Sequence, residues 1–218
     1  IAKNQEEYDT ALTGAFALDN NLLKGEILIN LDSEDDGEIF VGCAGGIDTT
    51  ATLKVKTKDT PRHFFAFSVT VKGLMGGHSG DDIDKRRGNA NKMLNRILWN
   101  MHKDLDLHLV KIDGGNLRNA IPREASAVAC VPFVHKEKVR VIFNEVAAEL
   151  EDENAAIETN MRIELHSEEI PDRVMTRRST SKILNALYAC PHGIKAMSPD
   201  MPGLVETSTN LASVKMPD

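Results

Sequence analysis

The chain has 218 residues, a formal net charge of -7 and a 41% apolar share, enough to bury one sizeable core or two small ones. The acidic balance argues against nucleic acid and anionic membrane surfaces as working partners, and no apolar run approaches the roughly 20 residues that span a bilayer. Cys43, Cys130 and Cys190 are widely spaced with no Cys-x-x-Cys pair, which reads as small buried apolar residues in a reducing cytoplasm.

In chain order, residues 22–31 read as a short strand buried on both faces, of the parallel α/β type. Asp32 then stands at its carboxyl end, where open α/β sheets carry functional groups. The acidic run from Asp32 to Glu38 reads as a solvated loop, and Gly42, Gly45 and Gly46 mark a change of domain. Residues 49–58 alternate as a strand, with 64–72 (Phe65, Phe67, Val69, Val71) as the hairpin partner.

The glycine-rich run Gly73-Leu74-Met75-Gly76-Gly77-His78-Ser79-Gly80 sets one histidine at a strand-to-helix corner. Free N–H groups at such a corner suit an anionic ligand group; the bland reading is a turn whose histidine meets only solvent. The stripe Ile83, Ala90, Met93, Leu94, Ile97, Leu98 and Met101 predicts a helix over 82–103 with Asp81 or Asp82 as N-cap. Strands over 105–112 and 124–133, a helix over 136–151, a strand over 160–166 and a helix over 179–190 follow. A Pro/Gly loop over 191–203 then leads into a strand at 204–215. This ββαββαβ order predicts an α+β fold, ferredoxin-like, with an antiparallel sheet and helices packed on one face, preceded by a short piece of α/β structure.

Four segments carry a resemblance. They are Asn30-Leu31-Asp32-Ser33-Glu34 running into Gly42-Cys43-Ala44-Gly45-Gly46, then Gly73 to Ile83, then Gly114-Gly115-Asn116-Leu117-Arg118-Asn119-Ala120-Ile121-Pro122, and Gly203 to Ala212. From about Thr13 onward the chain resembles the co-catalytic zinc dipeptidases of the aminoacylase and carnosinase clan, above all the aminoacyl-histidine dipeptidases of the peptidase D type. The resemblance implies two zinc ions in the catalytic domain, with Asp32 as a ligand. It implies that His78 is a lid histidine hydrogen-bonding the oxyanion of the tetrahedral intermediate, and that Asn119 binds the dipeptide while Pro122 fixes the turn behind it.

It also implies a domain plan: 1–46 part of a catalytic domain, 47–200 the first lobe of a lid and dimerisation domain, and 201–218 the start of a second lobe. The expected partners are a dipeptide and a second copy through the lid, and the expected location is cytoplasmic. The family's general-base and zinc-ligand Glu-Glu pair falls on Tyr8 and Asp9 without a gap, or on Glu6 and Glu7 with two inserted residues. Its His-x-Asp motif and bridging aspartate fall before Ile1, and its last histidine ligand after Asp218. The chain is therefore expected to be an internal piece that hydrolyses nothing alone. The competing expectation is a non-catalytic lid, dimerisation or peptide-binding module from a degenerate relative. His63, His102, His108, His135, His166 and His192 receive no role; His166, beside Glu164 and Glu168, comes nearest to one.

Overall fold

The computed structural model describes residues 24–27, 37 and 44–216. It divides into two compact units, Ile1–Ala51 and Thr52–Asp218. The described parts of the first unit contain no helix or strand, and Asp32, Cys43 and residues 6–9 lie outside the described residues.

In the second unit the described elements are β1 (Thr57–Asp59), β2 (Phe64–Lys72), β3 (Gly77–His78), α1 (Ala90–Asp104), β4 (His108–Gly114), β5 (Ala120–Ile121) and β6 (Ala125–Pro132). They continue with α2 (Lys136–Asn154), β7 (Arg162–Glu168), β8 (Arg173–Met175), α3 (Arg177–Ala189), β9 (Gly193–Met197) and β10 (Val205–Thr209). A four-stranded antiparallel sheet in the order β4-β6-β2-β7 forms the frame. With α1 between β2 and β4, and α2 between β6 and β7, this is the expected ferredoxin-like arrangement.

Alternation in β2 aims Phe67, Val69 and Val71 at one face, where they are fully buried against Leu94, Ile97, Leu98 and Met101 of α1 and Val139, Phe143 and Val146 of α2. Burial of apolar area on this face is the main force holding the helices to the sheet. On the opposite face Phe64, Ala66, Cys130 and Val174 make a small second cluster. The α3 helix starts at Thr176, whose side chain accepts the Ser179 N–H at 3.2 Å, and packs against α1.

Three expectations need correction. The segment 49–58 is not the hairpin partner of β2: both edges of β2 are occupied by β6 and β7, so only Thr57–Asp59 forms a strand, antiparallel to β8. The helix expected over 82–103 begins at Ala90. Ile83–Lys85 is a single 3-10 turn ended by Arg86 in the left-handed region at φ 53, and Asn89, not Asp81 or Asp82, caps α1 through the Lys92 N–H. Asp82 is unavailable as a cap because the His78 N–H, Lys85 and Arg87 already use its carboxylate. The loop expected over 191–203 contains β9, which pairs with β10, and the strand expected over 204–215 ends at Thr209.

Candidate functional site

His78 sits in a ribbon of two residues a side. Antiparallel pairing places Gly77 opposite Ile121 and His78 opposite Ala120, and the Ser79 N–H donates to the Asn119 carbonyl at 2.8 Å. The two residues expected to act on substrate, from separate motifs, are thus adjacent along the ribbon backbone, Asn119 immediately preceding Ala120, the partner of His78. The ribbon is anchored behind. The His78 N–H donates to Asp82 Oδ2 at 2.8 Å, Arg87 pairs with the same carboxylate at 3.1 Å, and its guanidinium donates to the Gly76 carbonyl at 2.6 Å. The Lys85 hydrogen bond, followed by the His78 N–H, holds the Asp82 carboxyl below the usual carboxylate range. A Cβ on Gly77, at φ +145, would run into Arg87 and Asp82, so only glycine lets this anchor close.

The imidazole is fixed by its own turn. His78 Nδ1 accepts the N–H groups of Gly80 and Asp81, each at 3.2 Å. A neutral ring whose Nδ1 accepts carries its proton on Nε2, so the turn leaves His78 a hydrogen-bond donor at Nε2. Asp81 Oδ2 also lies 3.3 Å from Nδ1, but that carboxylate is 89% exposed, whereas the two amides are held by the backbone. The amides set the tautomer.

Among the described residues no group of three or more His, Cys, Asp or Glu is gathered to hold a metal ion. His166 is exposed, with Glu164 3.4 Å away, and His108 is buried with Nδ1 against the Met175 carbonyl at 2.7 Å. Sequence reasoning missed Glu158, a buried carboxylate that accepts the N–H groups of Met75 and Gly88, both at 2.7 Å. It also missed Asn89, Asn91 and Asn210, whose side chains bind backbone far away in the chain. Glu158, Asn89 and Asn91 sit in no spacing that signals chemistry, and Asn210, though inside the Gly203–Ala212 segment, drew no role of its own from the sequence.

Residues 69–158 match the peptidase dimerisation domain family. Over 210 residues the chain is 41% identical to the cytosol non-specific dipeptidase of Escherichia coli strain K12, a match covering 96% of this chain and 43% of the relative. The structure superposes on the crystal structure of aminoacylhistidine dipeptidase from Vibrio alginolyticus with a TM-score of 0.84 at 41% identity, covering 94% of this chain and 42% of that one. The chain therefore spans about two fifths of the length of these relatives.

Proposed function

We propose, for a chain whose residues 69–158 form a peptidase dimerisation domain, the role of lid in a longer metal-dependent dipeptidase that hydrolyses small peptides such as aminoacyl-histidine dipeptides. His78 donates its Nε2 proton to the oxygen that gains charge as the peptide carbonyl becomes tetrahedral, a contact stronger in the transition state than in the ground state. Asn119, beside it, orients the dipeptide. Zinc, implied as two ions with Asp32 among their ligands, has no ligand group among the described residues.

One observation supports the reading: the β3–β5 ribbon pairs His78 with Ala120, the residue after Asn119, and the turn amides of Gly80 and Asp81 occupy His78 Nδ1, leaving Nε2 to face a ligand. The lid also supports pairing with a second copy, since β7 is an edge strand of the sheet, and unsatisfied ladder groups on an edge invite another strand. The E. coli relative's name favours a cytoplasmic location, and no helix among the described residues is long and apolar enough to cross a membrane.

The test is dipeptide hydrolysis with added zinc by this chain and by a longer enzyme containing it. The chain alone is expected to be inactive. In the longer enzyme His78→Ala lowers kcat by about 100- to 1,000-fold, the range for loss of one oxyanion donor, while Asn119→Ala mainly raises KM. Full turnover by the His78→Ala enzyme refutes the assignment.

A further inference from the structure

The segment after β10 leaves its ladder and crosses the second unit instead of continuing as a strand. Asn210 Nδ2 donates to the Ala120 carbonyl at 2.8 Å. The Leu211 carbonyl accepts from Asn89 at 3.1 Å and Asn91 at 3.3 Å. Gly114 and Val214 exchange reciprocal backbone hydrogen bonds at 2.9 and 2.8 Å, and Lys215 reaches Asp113 at 2.9 Å. Gly115, at φ +69, is where the segment presses closest: a Cβ there would run into the Ala212 carbonyl.

We propose that residues 210–215 are a strap that fixes the His78 ribbon, and that Asn210 is its positioning residue. The ribbon has two sides. The Asn119 carbonyl faces β3 and receives the Ser79 N–H, while the next carbonyl, that of Ala120, points the other way and is taken by Asn210. A two-residue strand has too few ladder bonds to hold itself; the Asp82–Arg87 anchor holds its β3 side, and this outer bond holds its β5 side, where Asn119 sits. Asn210 is itself held, because its Oδ1 accepts from Asn89 Nδ2 at 3.4 Å. Asn89 is oriented in turn, since its own Oδ1 is committed to the Lys92 N–H at the head of α1. A chain of oriented amides thus runs from a helix N-terminus through the strap to the ribbon.

The proposal rests on the reading of His78 as the acting side chain, but its first test does not. Hydrogen exchange of the Ser79 amide, followed by NMR on this chain, reads the ribbon directly. Asn210→Ala and Asn210→Asp are both expected to speed Ser79 exchange about tenfold and leave the β2–β6 ladder amides unchanged. Aspartate has the size of asparagine and keeps the acceptor, but loses the donor that Ala120 needs. Ser79 exchange within twofold of native in Asn210→Asp overturns the proposal, and so does faster exchange spread through β2 and β6. In the longer enzyme Asn210→Asp should lower kcat about tenfold and raise KM as well, since His78 and Asn119 both sit on the loosened ribbon. Faster Ser79 exchange with unchanged kcat leaves the strap standing and removes the catalytic role of His78; a lower kcat with unchanged exchange removes the strap.

Discussion

Glu158 offers the sharpest test of how the ribbon is supported. Its carboxylate lies in the turn after α2, is 3% exposed, and binds two amides far back in the chain: Gly88 through Oε1 and Met75 through Oε2, each at 2.7 Å. Met75 and Gly88 bracket the Gly77–His78 strand and the Asp82–Arg87 anchor. Hydrogen bonds to an ionised acceptor contribute about 1.5–3 kcal/mol each. On truncation the Met75 N–H, at the surface, regains water, while the Gly88 N–H is buried and stays unsatisfied at about 1–3 kcal/mol. Glu158→Ala should therefore cost about 2–4 kcal/mol, the lost bonds being partly offset by relief from burying the charge. Glu158→Gln should cost nearly as much, because both oxygens face donors and the new NH2 group would meet an N–H. Urea unfolding at pH 7, with the slope checked against native, measures both. A Glu158→Gln variant within about 0.5 kcal/mol of native, the range of an ordinary surface change, would falsify the claim that two acceptors are required.

Phe67→Ala empties a fully buried site between β2 and the helices, and should cost about 3–5 kcal/mol in the same unfolding experiment; a loss under about 1 kcal/mol would mean that the core collapses to refill it. Burial, then the Arg177 charge, holds the His102 imidazole below its ordinary value, and burial, then Lys92, does the same for His192. Because the folded form resists protonation more than the unfolded one, this stability is complete above about pH 6.5 and is lost as pH falls through the lowered folded values. Stability at pH 5.5 should be below that at pH 7.5, and the double change His102→Gln, His192→Gln should flatten the difference; an unchanged slope counts against the assignment. The Cys130 thiol, fully buried and pushed up by burial to about 11, should resist iodoacetamide in the folded protein at pH 8 and react on unfolding, since the thiolate is the nucleophile. Labelling of native protein at Cys130 would contradict that burial.

Much of the frame was legible in the chain itself. The two-residue alternation of β2 and the helical stripe of α2 each reflect a period that a buried face enforces, so they appear as patterns. The glycines around His78 marked their segment because special backbone geometry restricts residue type at the spot where it occurs, whereas the Asn119-Ala120-Ile121-Pro122 run stood out only through the family resemblance. Pairing left no such trace. Residues 49–58 alternate as a hairpin strand should, yet β2 had already given its edges to β6 and β7, and a partner's occupancy is not written in the strand that loses it. The helix start was misplaced at Asp82 because a carboxylate before an apolar stripe looks like a cap whether it meets a helix N–H or, as here, an arginine and a histidine amide. The adjacency of His78 to Asn119, the buried carboxylate of Glu158 and the strap at Asn210 belong to tertiary structure alone. Each depends on one or two hydrogen bonds between residues distant in sequence, and a single distant contact imposes no period on the chain for a reader to find.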